Sequence, residues 1–201
     1  MQYICHRINR FEELENVPDG CGVELDLRDD LDGSIYIEHN PFTPGQHFEE
    51  YLKHYNKGLM ILNIKSERIE ETVLELMKKY GVTSYFFLDS SFPMIYLLSQ
   101  KGVTQTALRF SEFEGLDTAV KMAGRCEWIW VDCFTKMPLD KKSVELIKRC
   151  NYKICVVSPE LQGQPEKLEE YAGYLAENGL VPDAVCTKYY NIDKWKRYLG
   201  E

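Results

Sequence analysis

The chain has no Cys-x-x-C pair, no Gly-x-Gly-x-x-Gly or Walker-type loop, no internal repeat and no low-complexity segment. Each absence removes a class of protein. Without paired cysteine motifs, a zinc ribbon or a thioredoxin-type redox centre has no ligands. The seven cysteines (5, 21, 126, 133, 150, 155 and 186) are scattered and odd in number, which reads as reduced thiols in a cytoplasmic protein rather than a disulfide frame. Without a glycine-rich phosphate loop after an early strand, a nucleotide-binding doubly wound sheet lacks its fingerprint. No apolar run approaches the ~20 residues that a membrane-crossing helix needs, so no stable membrane insertion is expected. No basic segment leads into a long apolar one near residue 1, so no signal peptide is expected either. Basic residues are also in short supply, 24 Lys and Arg against 32 Asp and Glu, for a net charge of −8. With no basic stripe to offset that charge, nucleic acid is not an expected partner. An anionic small molecule is still admissible, because one local cation can invert the field inside a pocket.

What is present fits one well-packed unit. The chain has 201 residues, 44% of them apolar and 28% charged, ordinary values for a globular protein with one sizeable core. No linker-like stretch interrupts it, so residues 1–201 read as a single domain. Apolar, β-rich runs fall at 3–7, 22–27, 59–64, 84–88, 107–110, 128–131, 153–157 and 184–187. Helical patterns lie between them at 48–55, 68–80, 92–100, 117–123, 141–150 and 165–178. Val73, Leu76 and Met77 mark one buried helical face, and Gly81 and Gly179 follow the last turns, where a left-handed cap favours glycine. Residues 9–21 leave room for only a brief helix.

Strands alternating with helices imply parallel pairing through right-handed crossovers. Eight such units predict a compact (β/α)8 TIM barrel with short helices; an open doubly wound sheet is the alternative. In a barrel the loops after each strand share one rim, which collects His6, Arg7, Glu24, Asp26, Asn63, Lys65, Asp89, Arg109, Asp132, Glu160 and Lys188. His47 and His54 fall near a helix and read as surface residues, and Trp128 and Trp130 as core. Tyr189 and Tyr190, just past the last strand, are placed to line the mouth.

Residues 22–40 are the most informative stretch. Glu24 and Asp26 are two apart on a strand and so face the same way, able to converge on one cation. The turn at Asp32-Gly33 then folds a second short strand back, bringing His39 towards them. His6-Arg7 closes the first apolar run. Two histidines, an arginine and a carboxylate pair at neighbouring strand ends read as a phosphate-handling site.

These residues resemble the glycerophosphodiester phosphodiesterase family, within the phospholipase C-like phosphodiesterase barrels. The likeness rests on His6-Arg7 after the first strand, Glu24-x-Asp26 after the second, and Asp32-Gly33 followed by Ile35-Tyr36-Ile37-Glu38-His39. Asn63-Ile64-Lys65 stands where that family has Glu-x-Lys, and Pro182 to Thr187 looks like its last strand. Ile8 replaces the glycine that usually follows His-Arg, and Asn40 the aspartate that commonly follows the second histidine. Only 23 residues separate Asn40 from Asn63, too few for the insertion that caps many such pockets.

The resemblance implies a metal-dependent phosphodiester hydrolase acting on a small-molecule phosphodiester. Glu24, Asp26 and Asn63 would hold a divalent cation, Mg²⁺ or Ca²⁺, which prefer oxygen ligands. His6 and His39 would share general acid and base work. Arg7 and Lys65 would hold the phosphate, one by its planar fork and one as a point charge. Asn63 in a carboxylate's place supports an alternative: a catalytically altered barrel that binds a phosphorylated or sugar ligand without hydrolysis. A further alternative is an unrelated barrel enzyme such as an aldolase, with Lys188 as its amine.

Overall fold

A computed structural model describes residues 1–200. Eight parallel strands form its central sheet: β1 (Gln2–Cys5), β2 (Gly22–Asp29), β5 (Met60–Ile64), β6 (Tyr85–Leu88), β7 (Ala107–Phe110), β8 (Trp128–Val131), β9 (Lys153–Val157) and β10 (Ala184–Thr187). Two short antiparallel strands, β3 (Ile35–Ile37) and β4 (Gln46–His47), extend the outer end of β2. The ladder runs β6-β5-β2-β1-β10-β9-β8-β7, with every adjacent pair parallel. A lone bridge between Phe87 and Thr106 joins β6 to β7 and closes the ring. This is the closed β/α barrel that strand–helix alternation predicts.

Period-two alternation sorts the strand residues. Ile4, Ile61, Phe86, Leu88, Trp128, Trp130, Cys155, Val157 and Cys186 fill the barrel interior. Val23, Leu25, Leu27, Met60, Leu62, Ile129, Val131 and Val156 point outward into a second apolar layer under the helices. The two tryptophans are core, as their apolar flanks suggest, with Trp128 stacked on Phe86 at 4.7 Å. Gly22 is required by proximity: a Cβ there would lie 2.1 Å from the Leu59 carbonyl oxygen and 2.7 Å from Ile4 Cδ1. Only glycine lets β2 approach β1 and β5 so closely.

The helices are α1 (Phe48–His54), α2 (Glu70–Lys79), α3 (Phe92–Gln100), α4 (Asp117–Lys121), α5 (Lys141–Arg149), α6 (Leu168–Glu177) and α7 (Ile192–Leu199). Each buries one stripe against the strands' outer faces, for instance Val73 and Met77 of α2 and Ala172 and Leu175 of α6. In α5, Asp140 accepts from the Ser143 amide at 2.7 Å, an N-cap bond. Residues 11–16 form the brief helical turn for which 9–21 has room, as a 3₁₀ helix.

Several boundaries differ from the sequence reading. The first strand stops at Cys5, because Arg7 turns the chain with φ +56. Helix α2 starts at Glu70, since Arg68 has φ +69. Residues 165–167 take a 3₁₀ turn before α6, and α4 ends at Lys121. Helix α7 lies beyond the helical patterns the sequence shows, although Ile192, Trp195 and Leu199 form an apolar stripe. Trp195 is fully buried, and its indole N–H donates to Ser158 Oγ at 2.8 Å.

Candidate active site

Alternation along β2 turns Glu24 and Asp26 inward, at the end of the barrel where the strand C-termini meet the loops. Both are fully buried. Asn63 lies opposite Asp26 in the β2–β5 ladder, and its amide donates to Glu24 Oε1 at 2.8 Å. The Arg7 backbone N–H donates to Glu24 Oε2 at 2.8 Å, and Arg7 itself takes the left-handed conformation, with φ +56. A non-glycine residue held in that region is strained, and such strain concentrates at functional sites.

Asp26 is the hub. Its Oδ2 accepts from Asn9 Nδ2 at 3.1 Å, and its own N–H donates to Asn9 Oδ1 at 3.1 Å. His39 Nδ1 is 3.3 Å from Asp26 Oδ1, and Lys65 Nζ and Arg7 Nε lie 3.6 and 3.7 Å from its carboxylate. The Arg7 guanidinium also donates to His39 Nε2 at 3.0 Å. Because an arginine can only donate, Nε2 accepts, and the ring proton belongs on Nδ1, facing Asp26. His39 stands two residues past β3, in the loop that the Asp32-Gly33 turn directs back over the mouth.

His6 occupies the other side of Glu24, with Nε2 at 3.7 Å from Oε2. Its Nδ1 is buried with no hydrogen-bond partner. Burial, followed by the positive charges of Lys188 and Arg7, lowers the His6 pKa to about 3, so the ring is neutral over the ordinary range of pH. Burial, and then the Asp26 charge, raises Glu24 above the usual carboxylate range. Burial alone would raise Asp26 too, but its bonds from Asn9 and His39 and the charge of Lys65 hold it low. The two carboxylates differ for a physical reason: Asp26 is less deeply desolvated and accepts hydrogen bonds from Asn9 and His39 with Lys65 beside it, whereas Glu24 also feels the Asp26 charge.

A hard divalent cation fits this donor set in one respect. Among the described residues, no cluster of three His, Cys, Asp or Glu side chains could hold a metal. The carboxylate pair gains a third oxygen only from Asn63 Oδ1, which is buried and without a partner. Two carboxylates and an unclaimed amide oxygen suit Mg²⁺ or Ca²⁺ in kind, with one negative charge fewer than three carboxylates would supply.

The remaining rim residues form a second network. Lys65 Nζ lies 3.3 Å from Asp89 Oδ2, and Asp89 Oδ1 accepts from Arg109 Nε at 2.9 Å and its NH2 group at 2.6 Å. Arg109 also pairs with Asp132, which accepts from Trp130 Nε1 at 3.2 Å and Gln162 Nε2 at 2.5 Å. Burial raises the Asp132 pKa to about 6 despite Arg109. Glu160 accepts from Thr187 Oγ1 at 2.5 Å and from the Lys188 amide at 3.2 Å, while Lys188 Nζ donates to the His6 carbonyl at 3.3 Å.

Some residues stand apart. His47 and His54 are exposed, and His54 stacks on Phe11 at 4.4 Å, away from the carboxylates. Tyr189 and Tyr190 are exposed and pack edge to face on each other. Asn9 and Arg28 touch the site but were not singled out from sequence. Asn9 follows His6-Arg7 by two residues in the same loop, and Arg28 follows Asp26 by two on the same strand face; those offsets were the available signals.

No family model matches the chain, and no curated protein matches it by sequence. Solved structures do match. A glycerophosphodiester phosphodiesterase from Agrobacterium tumefaciens superposes with a TM-score of 0.67 at 16% identity, covering 94% of this chain and 97% of its own. A putative glycerophosphoryl diester phosphodiesterase from Silicibacter pomeroyi gives 0.69 at 13% identity, covering 99% and 93%. The glycerophosphodiester phosphodiesterase of Thermotoga maritima gives 0.63 at 18% identity, with 96% of each chain covered. In fold, therefore, the chain is a TIM barrel of the kind that these glycerophosphodiester phosphodiesterases have.

Proposed function

We propose that this barrel hydrolyses phosphodiesters, using His6 and His39 for proton transfer and a divalent cation held by Glu24, Asp26 and Asn63. The observation that carries the reading is the convergence of two imidazoles, two cationic side chains and two buried carboxylates in one barrel mouth. When bound, a hard cation supplies charge neutralisation at a non-bridging phosphate oxygen. The chain's own groups do the rest. Neutral His6, with a free Nδ1 and Nε2 beside Glu24, accepts a proton from the attacking hydroxyl. His39, held through Nδ1–H by Asp26, is freed at Nε2 once the substrate's phosphate draws Arg7 off that nitrogen; Nε2 then takes up a proton from solvent and passes it to the leaving oxygen. Lys65, just past β5, meets the phosphate together with Arg7; the two cations lie beside different oxygens of Asp26. The substrate reading is a small phosphodiester, and the seven thiols, all free and mostly buried, suit a reducing cytoplasm. Among the described residues, no helix is long and apolar enough to cross a membrane.

A second reading is a barrel that binds a phosphorylated ligand without cleaving it. It is favoured by Asp26 being already surrounded by Lys65 and Arg7, so that the protein's own cations meet part of the demand for positive charge. Calorimetric titration of Mg²⁺, Ca²⁺ and Mn²⁺ into chelator-stripped protein separates the two, with Glu24→Gln/Asp26→Asn as control. Binding that disappears in the control, together with hydrolysis of glycerophosphodiesters lost in His6→Ala and His39→Ala, is the result expected. Neither metal binding nor turnover, with inorganic phosphate still bound, would replace it by the second reading.

A further inference from the structure

We propose that Arg28 is a positioning residue that sets the spacing between His39 and Lys65. The proposal rests on the catalytic reading above for its consequence, though not for its geometry. Arg28 lies two residues beyond Asp26 on β2 and rises from the rim between two segments distant in sequence. Its Nε donates to the Glu38 carbonyl at 3.2 Å, one terminal nitrogen to the Lys65 carbonyl at 3.0 Å, and the other to the His39 carbonyl at 2.8 Å. All three nitrogens of the fork are thus spent on main-chain carbonyls, and the guanidinium forms no ion pair among the described residues.

Besides these, the backbone around His39 is held by the Glu38 N–H, which donates to the Asp26 carbonyl at 3.0 Å, and by the Asn40 N–H, which donates to Glu38 Oε1 at 3.0 Å; neither reaches the Lys65 segment. Residues 38–45 lie between β3 and β4 with no regular structure, and 40–44 are exposed. The His39 side chain is 39% exposed and has Asp26 and Arg7 as its side-chain polar partners. Arg7 is itself placed to leave for a phosphate. The planar fork therefore fixes the carbonyl of His39 against that of Lys65 across the β2 strand end, and so fixes the imidazole relative to the ammonium. A lysine at 28 keeps the charge but cannot present three donors in one plane. Misplacement of a reacting group by about 1 Å costs on the order of 10²-fold in rate.

The test uses Arg28→Lys and Arg28→Ala, with Lys57→Met as a stability control. Lys57 donates to the Val17 carbonyl, away from the site. With bis(para-nitrophenyl) phosphate and Mg²⁺, Arg28→Lys is expected to lower kcat by about 10- to 100-fold with a smaller change in KM. Free guanidinium ion is expected to restore turnover to Arg28→Ala, and ammonium ion is not. An NMR arm needs no turnover: in Arg28→Lys the His39 ring signals shift and amide exchange across 38–45 speeds up, while His54 is unmoved. Unchanged His39 signals and exchange would overturn the proposal. So would a kcat within twofold of wild type, or a loss that Lys57→Met reproduces at equal stability. A wild-type protein without turnover would count against the catalytic reading alone, and the NMR arm would still decide the role of Arg28.

Discussion

His6 ties the fold's stability to pH in a way that a single substitution isolates. Its side chain is 16% exposed, and burial first, then Lys188 and Arg7, pull its pKa down to about 3. In the unfolded chain an imidazole titrates near 6.5. Above that value both states are neutral, and His6 contributes no pH dependence. As the pH falls below about 6.5 the unfolded chain takes up a proton that the native site refuses, so stability drops until the native pKa near 3 is passed. At pH 5 the proton uptake of the unfolded state alone amounts to about 2 kcal/mol. His6→Gln keeps a polar side chain of similar reach and removes the titration. Urea unfolding of wild type and variant, in chelator at pH 7.5 and pH 5, should show the wild type losing about 2 kcal/mol more than the variant over that interval. Parallel losses in the two proteins would refute the reasoning, as would a His6 ring that titrates near 6.5 by NMR.

Three further outcomes are expected. Asn63→Glu adds a third carboxylate beside Glu24 and Asp26; calorimetry should show tighter Mg²⁺ or Ca²⁺ binding, while the metal-free variant is less stable from carboxylate repulsion. Gly22→Ala sets a Cβ against the Leu59 carbonyl and should cost about 1–3 kcal/mol or more, read as a lower urea midpoint with unchanged m-value. Trp195→Ala empties a fully buried indole site and orphans Ser158 Oγ from its donor, and should cost about 3–5 kcal/mol by the same measurement.

The barrel was legible in the sequence because its strands are buried on both faces and read as short, unbroken apolar runs such as Trp128–Val131 and Ile154–Val157. The inward turn of Glu24 and Asp26 followed from period two alone. What could not be read arises from tertiary geometry. Helix α7 has only eight residues, four of them charged, and its one decisive residue, Trp195, is recognisable only from what it packs against. Arg28 looks like any strand-end charge until the carbonyls of Glu38, His39 and Lys65 are seen to converge on it. Asn9 looks like a turn residue until its amide is found exchanging two bonds with Asp26. The end of β1 and the start of α2 slipped where Arg7 and Arg68 take positive φ, a conformation that no local residue pattern announces for arginine.

The joint between β6 and β7, held by one bridge, divides the barrel into a half built from residues 1–88 and a half from 107 onward. His6, Arg7, Glu24, Asp26, His39, Asn63 and Lys65 all belong to the first half, and the second faces them with Asp132, Glu160 and Lys188. A gene for such a chain is modular in a useful sense. Recombination near residue 105 would exchange the part of the mouth that carries Asp132, Glu160 and Lys188 while leaving the residues proposed for proton transfer and anion holding intact. Divergence of ligand preference within barrels of this build can then proceed along one stretch of chain without disturbing the other.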